Sequence, residues 1–197
     1  MANASIHMLP MDVVDEERLL AGLRAGSPEA FRSLYRLYLP KVASLCRVLL
    51  RDVGVEDAIQ DTFLRVFRNV QQFRGDSRLT TWVHRIATNV CLSELRQRGL
   101  WRARHDDLAG EVDDGRDFEA ELALKQSSAQ LQVLLDDLDP VKRTTFFLHH
   151  VEGLTAAEIG VVLGEQRGTV LKRLQRTRED LLARWPNVAT EQAGGRP

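Results

Sequence analysis

Two stretches of the chain combine the residue types that hold nucleic acid. Placed on a helix, the segment from Leu79 to Arg98 sets Thr81, Arg85, Thr88, Asn89, Leu92 and Arg96 on one side, beside the indole of Trp82. Arginine neutralises phosphates, asparagine can bond a base edge, and an aromatic ring can stack on a base that has left its duplex. Further on, Thr169, Lys172, Arg173 and Arg176 follow i, i+3, i+4, i+7, an outward cationic row on a second helix. Catalytic patterns are missing: there are no paired carboxylates near a histidine at metal spacing, no phosphate-cradling glycine loop with lysine, and no activated nucleophile. That absence speaks against a nuclease or other enzyme, and nothing calls for a cofactor or metal. His149-His150 has no third ligand at suitable spacing and reads as a pair on a helix surface.

Helices must present these residues, and apolar spacing predicts them. Leu19, Leu20 and Leu23, then Phe31, Leu34, Tyr35 and Tyr38, mark two helices separated by Gly26-Ser27-Pro28, which supplies a stop, a cap and a first-turn proline. Ile59, Phe63, Val66, Phe67 and Val70 form one stripe of a third helix, whose opposite face carries Asp57, Gln60, Asp61 and Arg68. The loop Arg74-Gly75-Asp76-Ser77 leads into the fourth, with Leu79, Val83, Ile86 and Val90 as its buried stripe and Asp76 or Ser77 as its cap. Near the end, Thr155 with Glu158 three residues later predicts a capping box, and Gly164 a stop. The next helix, opened by Gly168-Thr169-Val170, buries Val170, Leu174, Thr177 and Leu181. Two helices joined by a glycine-marked turn, the second cationic outside, are what a DNA-reading helix-turn-helix requires.

The net charge of -1 hides a sorted distribution. Arg74 to Arg104 carries seven arginines against Asp76 and Glu94; Glu165 to Arg184 carries six basic residues against three acidic ones. Between these blocks, His105 to Glu121 holds eight acidic residues and Arg116, too little apolar surface to offset the entropy of ordering. Cys46 and Cys91 lack CxxC spacing and read as small buried residues in a reducing compartment. No apolar run approaches a bilayer span, so no membrane insertion is expected and the predicted location is cytoplasmic.

In this order the motifs resemble the extracytoplasmic-function (ECF, group 4) sigma factors of bacterial RNA polymerase. Four stretches carry the resemblance: Gly26 to Phe31; Val55 to Phe63; Phe73 to Ser77 with Thr81, Trp82, Arg85 to Ala87 and Asn89; and Val151 to Thr155 through Gly168-Thr169-Val170 and Arg173-Leu174. It implies an all-α fold: a sigma region 2 helical bundle at 16–100, a flexible acidic linker at 101–125 and a sigma region 4 helix-turn-helix at 126–185, between tails at 1–15 and 186–197.

The resemblance also implies roles. Asp57, Gln60, Asp61 and Arg65 would dock onto core RNA polymerase. Arg74, Gly75, Asp76, Ser77, Arg78, Leu79, Trp82, Arg85, Asn89 and Arg96 would take the promoter's minus-ten element and capture a base of the melted strand. Arg167, Thr169, Leu171, Lys172, Arg173, Gln175 and Arg176 would face the duplex minus-thirty-five element. An inhibitory anti-sigma factor is implied as a further partner. The sequence departs from the pattern at Arg78 and Leu79, at Leu171 and Lys172, and at Glu165 and Arg167, so the minus-thirty-five preference is not carried over from relatives. A stand-alone helix-turn-helix regulator remains the rival; it would need neither the Asp57/Gln60/Asp61 face nor the Trp82 region.

Overall fold

The computed structural model describes residues 13–51, 53–99 and 135–193, with side chains over 16–51, 53–99 and 135–184. The acidic linker expected at 101–125 lies outside the described residues, as do the ends of both expected tails. Among those described the protein is helical and has no strand.

The N-terminal unit consists of α1 (Val13–Arg24), α2 (Pro28–Leu50), α3 (Val55–Asn69) with a short 3-10 turn at Val70–Gln72, and α4 (Leu79–Gln97). The Gly26-Ser27-Pro28 punctuation works as expected. The Ser27 N–H reaches the Gly22 carbonyl at 2.9 Å to close α1, while the Ser27 hydroxyl accepts from the Ala30 N–H to open α2. Leu34, Leu45, Val66, Leu79, Val83 and Ala87 are fully buried where α2, α3 and α4 meet. Cys46 and Cys91 face each other there, Sγ to Sγ 3.5 Å, as free thiols. The hydrogen bond that Cys91 donates to Cys46, followed by burial, pushes the Cys91 thiol up, so it stays protonated. Tyr38 is likewise buried and its phenol is pushed up to about 12 by desolvation, against the opposing hydrogen bond with Thr80.

The C-terminal unit consists of α5 (Pro140–His150), α6 (Ala156–Leu163) and α7 (Arg167–Ala193). Asp139 caps α5 by accepting from the Val141 and Lys142 N–H groups, each at 3.0 Å. Thr155 and Glu158 form the reciprocal capping box on α6, and Gly164 ends it in the left-handed conformation that glycine adopts without a Cβ penalty. The turn that follows folds back tightly: the Glu165 N–H bonds the Gly160 carbonyl, and a Cβ on Gly160 would lie 2.7 Å from the Glu165 carbonyl oxygen. Helix α7 continues past Pro186 to Ala193, beyond the residue at which a C-terminal tail was expected.

The two units pack on each other through one continuous core, which runs from α2 and α4 into Phe147, Leu148, Leu154, Ile159 and Val162. This corrects the expected faces of α4. Leu79, Val83 and Val90 are buried as predicted, but Thr81, Thr88 and Leu92 are buried too, because α6 covers their side. Arg143 bridges the units from inside. Only 4% exposed, it donates to the carbonyls of Leu135, Asp136 and Leu138, and across the interface to that of Val48 at 3.1 Å. Burial lowers its pKa; four acceptors, one of them in the electronegative last turn of α2, hold it charged.

Because the obstacle at Gly160 is backbone and cannot rotate away, Gly160→Ala is expected to destabilise the C-terminal unit by about 1–3 kcal/mol. Thermal unfolding followed by circular dichroism checks this, and an unchanged midpoint contradicts the tight-turn account.

Candidate nucleic-acid and polymerase interfaces

Three exposed regions carry the residues singled out by sequence. On α3, Asp57, Gln60 and Arg65 are exposed and Asp61 is half-buried. Arg65 grips Asp61 with two contacts, Nη2 to Oδ2 at 2.8 Å and Nε to Oδ1 at 3.1 Å. Glu56 and Asp57 sit in the first turn, where the helix dipole favours anions. Sequence reasoning missed two apolar members of this surface. Leu64 is 51% exposed one turn beyond Gln60 and Asp61, and Tyr35 is 40% exposed against Phe63. The signal for Leu64 was its spacing of seven from Asp57, two turns along one face.

The second region is the loop before α4 and the exposed side of that helix. Arg74, Gly75 and Asp76 are exposed, and Ser77 is half-buried. Both ends of this loop are pinned by α1. Arg24 Nη2 donates to the Phe73 carbonyl at 3.1 Å, and Glu16 Oε1 accepts from the Leu79 N–H at 2.8 Å. The Glu16 carboxylate thus caps α4, a task the sequence suggested for Asp76 or Ser77. Local spacing could not reveal a cap supplied from so far away in the chain. Leu79 is fully buried, so it anchors the loop from below. Trp82 is half-buried against Phe73, ring centroids 5.3 Å apart, and this contact holds the indole in place. Arg85, Asn89 and Arg96 continue from Trp82 along one exposed face. Arg78 is exposed, with Nη1 3.7 Å from Glu158 of the other unit.

The third region is α6, its turn and the start of α7. Arg167 is exposed; Thr169, Leu171, Lys172, Gln175 and Arg176 are half-buried. Arg173 does not stand outward as its spacing suggested. Its guanidinium grips Glu165 at 2.6 and 2.9 Å and also reaches the Thr145 hydroxyl, so it locks the turn onto α7. Glu165, a departure from the family pattern, is therefore the partner that fixes Arg173. Leu171 packs against the core, which explains why a leucine stands among polar neighbours. Gln175 donates to Glu179 at 3.1 Å. His149 bonds the Leu154 carbonyl through Nδ1, and His150 stacks on Phe146. Among the described residues no group of three His, Cys, Asp or Glu could hold a metal. No described helix is long and apolar enough to cross a membrane.

A helical bundle with a pinned arginine-rich loop, followed by a helix-turn-helix, defines a two-domain DNA-binding protein. Residues 34–101 match the Sigma-70 region 2 family and residues 128–181 match Sigma-70, region 4. The chain is 40% identical over 130 residues to the ECF RNA polymerase sigma factor SigE of Mycolicibacterium smegmatis, covering 64% of this chain and 49% of that one. It is 30% identical over 176 residues to the ECF RNA polymerase sigma-E factor of Escherichia coli, covering 83% and 91%. Among solved structures it is similar to CnrH in complex with the cytosolic domain of CnrY, with TM-score 0.63, 25% identity and coverage of 87% and 97%. Another is the sigma factor RpoE in complex with the anti-sigma factor NepR from Bartonella quintana, with TM-score 0.58, 20% identity and coverage of 81% and 96%. The chain belongs to the ECF sigma factor family of RNA polymerase, a family of transcription initiation factors rather than catalysts.

Two separable effects are expected. Glu16→Ala leaves the Leu79 N–H at the start of α4 without its carboxylate partner, costs about 1 kcal/mol and loosens the loop; urea unfolding of the full chain reads the stability loss, and equal midpoints refute it. Arg173→Ala removes a half-buried, bidentate charged contact and lowers stability by about 1.5–3 kcal/mol, whereas Arg167→Ala, at an exposed position, is expected to change it by under about 0.5 kcal/mol. The reverse order of the two would return Arg173 to the outward row.

Proposed function

We propose that the chain binds core RNA polymerase and directs initiation at promoters of a particular minus-ten and minus-thirty-five sequence, with no catalytic activity of its own. The observation that carries this reading is the exposed row of Trp82, Arg85, Asn89 and Arg96, set beside a loop pinned at both ends by Arg24 and Glu16. A pinned loop and a fixed indole can receive a base from a melted strand without first having to be ordered, and cations beside them hold the phosphates. The polymerase-facing surface is α3, where Asp57, Gln60, Asp61 and Arg65 surround the exposed Leu64. The duplex element falls to Arg167, Thr169, Lys172 and Arg176 at the start of α7, with Gln175 in reach and Arg173 and Leu171 holding the helix in place. Region 2 then occupies 16–100 and region 4 occupies 126–185, joined by the acidic segment.

The setting is the cytoplasm, and control falls to an anti-sigma factor. RpoE of Bartonella quintana, whose structure is similar, has such a partner in NepR. Exposed Leu64 and Tyr35, together with the polar face around them, must be covered by polymerase or by an inhibitor for the chain to act selectively.

Run-off transcription with purified core polymerase on a genomic fragment library tests the reading. Discrete promoter-dependent transcripts are expected only when the protein is added; their absence without any inhibitor, together with no binding to core, rejects it. Within that assay Asn89→Ala reduces open-complex formation while sparing duplex binding. Lys172→Ala and Arg176→Ala weaken minus-thirty-five binding and each lower its salt slope by about 1.

A further inference from the structure

Among the described residues of α1, Leu23 alone is fully buried, with Leu19 and Leu20 half-buried beside it, so this helix adds little to the core. Two polar contacts reach far along the chain instead. Arg24 Nη2 donates to the Phe73 carbonyl at 3.1 Å, and the Leu79 N–H donates to Glu16 Oε1 at 2.8 Å. Glu16 and Arg24 stand eight positions apart, about 12 Å along a helix. They hold the two ends of one loop, residues 74–78. Helix α1 is itself fixed in place, because Gly22 lies so close to α2 that a Cβ there would come within 2.8 Å of the Ala30 Cβ.

Phe73 and Leu79 are buried, while Arg74, Gly75, Asp76 and Arg78 between them are exposed. Gly75 turns the chain in the left-handed conformation, at φ 83°. The conformations open to so short a segment are set chiefly by the separation of its ends. Each end also governs a second group. The carbonyl held by Arg24 belongs to Phe73, whose ring lies 5.3 Å from that of Trp82. The N–H held by Glu16 belongs to Leu79, next to Thr80, whose hydroxyl meets the Tyr38 hydroxyl at 3.2 Å. Through these links α1 places both the indole and the first turn of α4, yet neither Glu16 nor Arg24 belongs to the row of Trp82, Arg85, Asn89 and Arg96.

We propose that Glu16 and Arg24 are positioning residues for base selection: α1 is a spacer whose length sets the distance between the two ends of the loop, and so decides which base of a melted strand fits between the loop and Trp82. The role rests on the proposed function, which brings that strand here. Base selection is a difference between affinities, and a pocket selects by leaving its own polar groups unpaired when the wrong base enters. That requires the pocket walls to be held to within about 0.5 Å. Phosphates carry no base identity, and Arg85 and Arg96 meet them on long side chains that tolerate small shifts. Losing an α1 contact therefore reduces discrimination more than affinity, whereas a helix that only stabilised the bundle would affect all strands alike.

The test uses the full chain with core polymerase and a pool of single-stranded DNA of random sequence, and the retained strands are sequenced. Wild type is expected to enrich one base at a defined position. Glu16→Ala and Arg24→Ala are each expected to lower that enrichment about tenfold, within the discrimination that a good base contact supplies, while the total strand retained falls by less than about threefold. Glu16→Gln keeps an amide oxygen that accepts from the Leu79 N–H and is expected to select as wild type does. Gly22→Ala pushes α1 away from α2 with both polar side chains kept, and is expected to lower the enrichment too. Circular dichroism verifies the helices of each variant, and Gly22→Ala and Glu16→Gln decide if an alanine variant of Glu16 or Arg24 fails to fold. Unchanged enrichment in either alanine variant overturns the proposal, as does lost retention with the base ratio intact, or a Glu16→Gln protein as unselective as Glu16→Ala. A wild type that selects no base is instead a failure of the proposed function, and the spacer role falls with it.

Discussion

Helix α4 has more faces to satisfy than it has circumference. One side must be buried against α2 and α3 to make the N-terminal bundle at all; Leu79, Val83, Ala87 and Val90 meet that need. A second side carries Trp82, Arg85, Asn89 and Arg96 to solvent. The third, with Thr81, His84 and Thr88, is polar by composition yet buried against α6. A polar face can be covered only by groups that answer its hydrogen bonds and charges. Glu152 and Glu158 do so in part: Glu158 accepts from the Thr81 hydroxyl and Glu152 faces His84, while the buried Thr88 hydroxyl has no hydrogen-bond partner.

The remaining elements are arranged around that helix. Helix α1 adds little core of its own beyond Leu23, but its Glu16 and Arg24 fix the two ends of the loop that feeds α4. Arg143 ties the start of the C-terminal unit to the end of α2, and removing it would leave four carbonyls without this donor. The helix-turn-helix is self-contained by comparison. Its capping box, the Gly160 approach and the Arg173–Glu165 clamp are all local to the C-terminal unit.

Which features could be read from sequence follows from the range of the interactions that make them. The Ser27 and Thr155 caps, the stop at Gly164 and the stripes on α3 and α7 depend on neighbours within a turn or two, and spacing revealed them. The charge blocks were legible because charge survives summation over a segment. What escaped was decided across the fold. Periodicity sorts the faces of α4 but cannot say that α6 will cover the one bearing Thr81 and Thr88. The Glu16 cap on Leu79 and the Arg143 bond to Val48 join residues far apart in the chain. Arg173 was misread for a related reason: a helical wheel gives the direction of its Cβ, while a long guanidinium can turn back to a carboxylate in the preceding turn.

The same distinction bears on the two surfaces proposed to face DNA, which differ in kind. In the proposed function the row on α7 meets duplex, whose groove is already formed, so a rigid helix with a clamped turn suffices. The row on α4, in the same proposal, takes a strand that exists only after base pairs have been broken, at a cost of a few kcal/mol per unstacked step. A surface that bound single strands tightly at all times would be occupied by any exposed nucleic acid in the cell. The strand-facing row sits on a side of α4 separate from the buried polar side, whose Thr81 and His84 face Glu158 and Glu152.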